Sequence, residues 1–97
     1  DKALTILPRM AEALSGRGSV KAQFGDYKSA LADLNKAIDS RPDYHTAYYN
    51  RAQVYLLTGD REKALADAVK AVSLAPGNTL YQNLLNGLQQ PVPAPEK

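Results

Sequence analysis

The stretch that decides the fold occurs twice: residues 25–42 read GDYKSALADLNKAIDSRP, and residues 59–76 read GDREKALADAVKAVSLAP. Both copies open on Gly-Asp, pass through Ala-Leu-Ala-Asp and end at a proline. Glycine readily takes the left-handed conformation that ends one helix, and the aspartate after it can cap the next helix. Proline lacks an N–H and disfavours helix in the residue before it. Each copy therefore predicts a turn, a helix and a stop.

The repetition extends beyond this stretch. Shifting the chain by 34 residues aligns residues 11–44 with residues 45–78, and 12 of the 34 positions are identical. A further shift places residues 2–8 on residues 36–42, with a shared Lys-Ala pair and a shared proline. A constant period of this length is typical of proteins whose repeats stack side by side. We therefore expect the chain to open near the end of an earlier repeat.

Each full repeat is predicted to hold two helices, A and B. Helix A is expected over about residues 9–24 and 44–58, and helix B over about residues 27–41 and 61–74. The expected N-caps have a side-chain oxygen that can accept a backbone N–H and stand just before a helix: Asp26, Asp43, Asp60 and Asn78.

Small residues recur at helical spacing in the B helices, and they indicate close packing. Ala64 and Ala71 in the second B helix match Ala30 and Ala37 in the first. Such positions let two helix backbones approach closely, so a bulky residue at Ala64 or Ala71 should clash. In the first A helix, Gly16-Arg17-Gly18 is read as a close-packing feature. Two helical glycines at about 1 kcal/mol each should make this helix the weakest element.

The C-terminal part differs from the repeats. Over residues 78–90, one apolar stripe is predicted, formed by Leu80, Leu84, Leu85 and Leu88, with asparagine and glutamine on the other side. No second helix follows, which is typical of a helix that caps a stack of repeats. The last residues, 91–97, alternate proline, and we expect them to form a flexible tail.

Composition excludes several classes of protein. The chain has 97 residues, 15 of them Ala and 13 Leu, and these two residue types favour helix. A net charge of +2 argues against a nucleic-acid-binding protein, which normally shows a dense basic face. The absence of Cys and the single His45 exclude thiolate and multi-histidine metal sites. We expect no cofactor.

The sequence says little about cellular location. No apolar run approaches the roughly 18 residues of a spanning helix, so membrane insertion is not expected. No signal-peptide pattern is visible, and the first residue is not Met. The compartment stays open, with the cytoplasm favoured, and the chain can be part of a longer protein.

Together, the period, the Gly-Asp turn and the run of Ala, Ala and Pro resemble the tetratricopeptide repeat, a helix–turn–helix unit of 34 residues. The residues that carry this resemblance in the second repeat are Tyr48, Arg51, Ala52, Tyr55, Ala64, Ala68, Ala71 and Pro76. Their counterparts in the first repeat are Leu14, Arg17, Gly18, Lys21, Ala30, Leu34, Ala37 and Pro42. The departures are arginine where the family has Leu, Lys21 where it has Tyr, and Ala68 where it has a larger residue.

The resemblance implies an all-α, right-handed α–α superhelix, a solenoid closed by a C-terminal capping helix. The implied division assigns residues 1–8 to the end of a preceding helix B, 9–42 and 43–76 to two full repeats, 77–90 to the capping helix and 91–97 to the tail.

The resemblance also implies a function in protein recognition, with a partner peptide or helix held on the concave face lined by the A helices. We therefore expect a scaffold, an adaptor or a co-chaperone-like protein. The residues implied to face the partner are Glu12, Ser15, Ser19, Ala22, Gln23, Thr46, Tyr49, Asn50, Gln53, Leu56 and Leu57. Tyr49 and Leu56 offer apolar area, and Asn50 and Gln53 can hydrogen-bond a peptide backbone. Each of them can equally be a solvated helix residue of an ordinary stack.

Asn50-Arg51-Ala52 looks like a stretch of co-chaperone repeats in which the Asn helps to grip a partner's terminal carboxylate. The other four positions of that carboxylate clamp hold Ser15, Ser19, Leu80 and Leu84 here, where Lys, Asn or Arg would be needed. We therefore do not predict binding of an acidic chaperone tail through this chemistry.

Arg17 and Arg51 are read as structural. Because Asp33 and Asp67 recur at the same spacing, we expect Arg51 to pair with Asp33, Asp67 or both, and an anion site in the groove is the alternative. Tyr48 and Tyr55 lie on one helix face and are expected in the core, while Tyr49 points outward.

An enzyme is not expected, because catalysis needs groups that converge. His45 has no partner that a motif would fix beside it, and Asp26 and Asp60 are explained as caps. Self-association is the alternative to partner binding. Only Leu4, Ile6, Leu7 and their neighbours are expected to cover the first full repeat, so the N-terminal end of the stack is left underprotected and can pair with another copy if the chain is natural. If the chain was cut from a longer protein, that surface is an artefact of cutting.

Overall fold

The computed structural model of the chain describes the backbone of residues 2–90 and the side chains of residues 10–90. It holds five helices in this range and no strand: α1 (Lys2–Gln23), α2 (Tyr27–Ser40), α3 (His45–Leu57), α4 (Arg61–Leu74) and α5 (Thr79–Gln89). Consecutive helices pack against each other, and α3 also contacts α1. The described part is thus an all-α stack of helical hairpins, as predicted. The tail expected over residues 91–97 lies outside the described residues.

The turns within the hairpins form as the Gly-Asp pairs predict. Gly25 and Gly59 have φ angles of 85° and 86°, in the left-handed region that favours glycine. The Asp26 carboxylate accepts the backbone N–H of Ser29 at 3.4 Å, and Asp60 accepts that of Lys63 at 3.2 Å. Asn78 caps α5 in the same way.

Two predicted helix boundaries are wrong. Asp43 does not cap α3, because Tyr44 takes the N-cap position and its N–H bonds to the Arg41 carbonyl, while the Asp43 carboxylate lies 3.5 Å from the Arg41 side chain. No break occurs at Pro8, since α1 runs without interruption from Lys2 to Gln23. A proline removes one backbone hydrogen bond and can bend a helix without ending it. The division into residues 1–8, 9–42, 43–76 and 77–90 stays a proposal based on the sequence period.

Alanines fill the contacts between the helices. Ala30 and Ala37 of α2 and Ala64, Ala68 and Ala71 of α4 are fully buried, as the small-residue pattern predicts. The close approach expected at the two glycines of α1 is found at Gly18 alone. A Cβ atom added there would lie 2.9 Å from Leu34 Cγ and 3.0 Å from the Ala30 carbonyl oxygen, whereas one added at Gly16 would meet nothing within 4 Å.

The last helix, α5, lies against α4, where Leu84, Leu85 and Leu88 pack on the alanine cluster of α3 and α4. Leu80 is exposed, so the predicted apolar stripe is wrong at that residue, and Tyr81 is buried in its place. Tyr81 follows the helical spacing of 3 and 4 to Leu84, Leu85 and Leu88, and its ring packs on α3. No helix within residues 2–90 has the length and apolarity needed to cross a membrane.

Candidate functional site

The groove is the face of the stack on which α1, α3 and α5 lie side by side. A hollow of about 130 Å³ lies between α1 and α3, lined by Ser19, Ala22, Gln23, Asn50, Gln53, Val54 and Leu57. A second hollow of about 390 Å³ lies between α3 and α5, lined by Gln53, Leu56, Leu57 and Leu84. We call them the α1–α3 hollow and the α3–α5 hollow. Because Gln53 and Leu57 line both, the two hollows adjoin.

A hydrogen bond between the two repeats supports the α1–α3 hollow. The Asn50 amide donates to the hydroxyl of Ser15 at 2.9 Å, and Ser15 is buried. Two of the positions that the sequence analysis compared with the carboxylate clamp of co-chaperone repeats therefore hold side chains that bond to each other. This arrangement fixes the Asn50 amide and commits one of its N–H donors.

The α3–α5 side of the groove is closed at one end by Tyr81. Its ring lies 4.9 Å from that of Tyr49, and its hydroxyl lies 2.7 Å from His45 Nδ1 and 3.5 Å from the Thr46 hydroxyl. The Gln53 amide donates to the Tyr49 hydroxyl at 3.1 Å. Tyr49 is consequently half-covered, whereas the sequence predicts an outward residue.

At the opposite end, the two helices leave the α3–α5 hollow open, and leucines surround it. Leu56 and Leu57 are exposed and come from the last turn of α3, while Leu84 is held by the core beneath it. Arg61 borders a neighbouring depression that Leu56 and Leu84 also line. Its guanidinium donates to the carbonyls of Gly87, Leu88 and Gln90 at 3.1–3.2 Å, at the negative end of the α5 dipole.

The structure brings together most of the residues that the resemblance implies. The residues that line the hollows are Ser19, Ala22, Gln23, Asn50, Gln53, Leu56 and Leu57. Thr46 and Tyr49 contact Tyr81, and Glu12 is exposed on α1 and lines neither hollow. Their role in binding stays a prediction.

Sequence reasoning missed two residues of the site, Val54 and Tyr81, whereas Leu84 aligns with a position of the carboxylate clamp. Tyr81 could have been found by continuing the 34-residue alignment of the repeats into α5. That alignment matches Tyr81 with the buried Ala47 and Leu84 with the groove residue Asn50.

The arginines of α1 and α3 are engaged in ion pairs. Arg51 forms two hydrogen bonds of 2.7 and 2.8 Å with the carboxylate of Asp67, which confirms a structural pairing. Arg17 binds Asp33 in the same forked way at 2.8 Å, and the Lys21 ammonium lies 3.0 Å from Asp33. The Arg17 guanidinium lowers the pKa of Asp33 below its ordinary value, and the Asp67 carboxylate raises the pKa of Arg51.

The aromatic residues beside Arg51 are part of this structural cluster. Tyr48 is buried, donates to the Pro42 carbonyl at 2.8 Å, and has its ring centre 5.7 Å from the Arg51 guanidinium carbon. Tyr55 lies on the other side at 5.8 Å. The N–H groups of the Arg51 guanidinium thus face groups of the protein itself, which argues against the alternative that Arg51 binds an anion in the groove.

Comparison with known proteins agrees with the sequence period. The family model of the tetratricopeptide repeat matches residues 15–79. Among solved structures, the chain is similar to the first TPR of Spaghetti (RPAP3) bound to the HSP90 peptide SRMEEVD, with a TM-score of 0.78. The identity is 23%, over 84% of this chain and 66% of that one, so this chain spans just under two thirds of the similar structure. At this identity the likeness concerns the fold.

Proposed function

This chain belongs to the tetratricopeptide repeat family, and we propose that it is a non-catalytic interaction module that holds a partner peptide or helix in the groove. The observation that supports this proposal is the pair of adjoining hollows, which follow one face of the stack and share Gln53 and Leu57 as a common wall. A scaffold or adaptor needs such a surface. The similar structure holds an HSP90 peptide, and a co-chaperone-like role for this chain rests on that likeness of fold.

The chemistry of the groove suits a peptide. Amide side chains such as Gln23 and Gln53 offer both a donor and an acceptor, as a peptide backbone does. Leu56 and Leu57 offer exposed apolar area beside them. Small concave sites of this kind combine apolar walls with a few polar groups that fix orientation.

We propose no catalytic role. The side chains that the sequence analysis considered as catalytic candidates have structural partners among the described residues. His45 contacts the Tyr81 hydroxyl, and Asp26 and Asp60 cap helices.

The proposal is tested by selecting peptides from a random display library on the full 97-residue chain and mapping one of them by NMR chemical-shift changes. We expect the shifts to fall on the amides of α1 and α3 around Gln53. Combined Tyr49→Ala and Gln53→Ala substitutions should weaken binding by about tenfold or more. Lys36→Ala, an exposed change on α2, is the control. No enriched peptide, or shifts confined to α2 and α4, would contradict the proposal.

One observation favours self-association as a second candidate function. Val20 of α1 is 50% exposed, whereas its counterpart Val54, which lies 34 residues later, is 2% exposed because α1 and α2 cover it. Ala13 is exposed while its counterpart Ala47 is buried, and Phe24 extends the same face of α1. This face therefore has the residues of a packing surface, and we propose a second copy of the chain as its alternative partner.

Light scattering across a concentration series tests this second candidate. Val20→Glu should abolish any dimer, and Val69→Glu, at a similarly exposed valine on α4, should leave it intact. A strict monomer at the highest concentration removes the candidate.

A further inference from the structure

We propose that the α3–α5 hollow takes an uncharged aliphatic side chain of the partner as an anchor. The partner segment would then be chosen by a leucine, isoleucine or methionine, and not by an acidic terminus. This inference rests on the proposed function of the groove and specifies the class of its partner.

The shape of the hollow supports an anchor site. α3 and α5 meet near their N-terminal ends, where the rings of Tyr49 and Tyr81 are 4.9 Å apart. Toward their C-terminal ends they leave the opening that Leu56, Leu57 and Leu84 surround. At about 390 Å³ it lies at the small end of the range of roughly 300–1,000 Å³ that binding pockets span. Three leucine side chains from two helices thus face one space.

The charges argue for an uncharged occupant. None of the four residues that line the hollow carries a charge. Arg61, in the neighbouring depression, donates to three carbonyls at the end of α5. A carboxylate placed in the hollow would lose its water and gain no cation, which is unfavourable. An aliphatic side chain gains from leaving water and asks for no polar partner.

A polar group beside the hollow completes the site. The Gln53 amide nitrogen donates to the Tyr49 hydroxyl, and the amide oxygen accepts no hydrogen bond from the described residues. Gln53 also lines the α1–α3 hollow. We therefore place the partner's backbone along Gln53, with one N–H bonded to the amide oxygen and the neighbouring side chain in the α3–α5 hollow.

Peptides enriched by display on the full chain test the inference through their composition and chemistry. We expect the enriched peptides to share an aliphatic residue, and its replacement by Asp to weaken binding by about tenfold or more. Capping the C-terminal carboxylate as an amide, or raising the salt concentration, should leave the affinity unchanged.

A matched pair of variants locates the anchor. Leu56 lines the α3–α5 hollow and not the α1–α3 hollow, and it is 36% exposed, while Val69 is 48% exposed on α4, so a charge at either residue is expected to leave the core packed. Leu56→Glu should abolish capture of the enriched peptide, and Val69→Glu should not, with circular dichroism confirming the fold of both.

The outcomes separate the two proposals. Peptides with acidic ends that lose affinity in salt, or binding that Leu56→Glu does not affect, would overturn the aliphatic anchor and leave the groove as the binding site. Failure to enrich any peptide would overturn the proposed function itself.

Discussion

Arg17 and Arg51 occupy equivalent places in the two repeats, yet the carboxylates that they bind have different surroundings. Asp33 is buried and has two cations, since Lys21 lies 3.0 Å away in addition to Arg17. Asp67 is also buried and is bound by Arg51, which additionally donates to Asn35 of α2 at 2.8 Å. Arg51 therefore links α3 to both neighbouring B helices, and each repeat depends differently on its arginine.

We predict that Arg51→Ala destabilises the chain by about 3 kcal/mol, because it leaves the buried Asp67 without its cation. Arg17→Ala should cost clearly less, because Lys21 remains beside Asp33 and Arg17 is more exposed. Urea unfolding followed by circular dichroism measures both free energies. Equal losses would show that Asp67 does not depend on Arg51 alone.

Asp33 should make the stability depend on pH. Its pKa is lowered in the folded state, chiefly by the hydrogen bonds of Arg17, and the pKa of an unfolded aspartate is about 3.9. Above about pH 5, well clear of that value, the contribution to stability is fully present. As the pH falls below about 5, the unfolded chain binds a proton that the folded chain does not, so the stability decreases.

The measurement is the free energy of unfolding in urea between about pH 7 and pH 3. Asp33→Asn should flatten the dependence, and Asp39→Asn, at an exposed carboxylate later in α2, should leave it as in the parent chain. An Asp33→Asn chain with the slope of the parent would contradict the assignment.

At the level of the helices, local chemistry sets some boundaries and tertiary contacts set others. The ends at Gly25 and Gly59 could be predicted, because a left-handed glycine and an Asp cap act within a few residues. Asp43 could not be assigned correctly, because its carboxylate lies near Arg41 instead of the start of α3. The continuity of α1 through Pro8 was missed because a proline can bend a helix, with the loss of one hydrogen bond, without ending it.

The candidate site, too, could be predicted only where local sequence determines it, and not where tertiary contacts do. The α3 side chains of the groove follow from the helical period, so Asn50, Gln53 and Leu57 could be predicted as neighbours. Their partners could not, because the contact between Tyr49 and Tyr81 and the opening at Leu84 depend on how α5 lies against α3. The sequence period carries no information on that angle.

The two hairpins differ in the sizes of the side chains that meet between their helices. Gly18 faces Leu34 in the first, and the equivalent residues in the second are Ala52 and Ala68, all fully or nearly fully buried. The alanine at residue 68, which departs from the family pattern, leaves room for the methyl group of Ala52, and leucines of α5 pack on the same cluster.

We predict that Gly18→Ala is destabilising, because the new Cβ would meet Leu34 Cγ and the Ala30 carbonyl at 2.9 and 3.0 Å. Overpacking of this kind costs about 1–3 kcal/mol, more than the roughly 1 kcal/mol that the better helix propensity returns. Leu34→Ala alone should cost about 2–5 kcal/mol through the cavity that it leaves.

The double variant Gly18→Ala, Leu34→Ala has the same pair of residues as the second repeat. Its loss of unfolding free energy should be about 1 kcal/mol smaller than the sum of the losses of the two single variants. Thermal or urea unfolding of the four chains closes this double-mutant cycle. Gly16→Ala is the control, because a Cβ there meets nothing within 4 Å and should stabilise the helix. Strict additivity would show that Gly18 and Leu34 do not compete for the same space.

On the scale of the whole molecule, stability follows from which helices have neighbours on both sides. In a stack of repeats, each element is held mainly by those next to it. Among the described residues, α3 contacts α1, α2 and α4, whereas no helix covers the face of α1 that bears Val20, and α5 packs chiefly on α4. Local opening should therefore begin at the ends of the stack and reach α3 last.

Native-state hydrogen exchange measures this order, and we predict that α1 exchanges faster than α3. Two features act together on α1: among the described residues no helix covers its outer face, and Gly16 and Gly18 each lower its helix propensity by about 1 kcal/mol. Gly16→Ala should slow exchange within α1 and leave α3 unchanged, because the substituted residue has open space around it. Equal protection of α1 and α3 would mean that the stack opens only as one cooperative unit, since every amide would then report the global unfolding free energy.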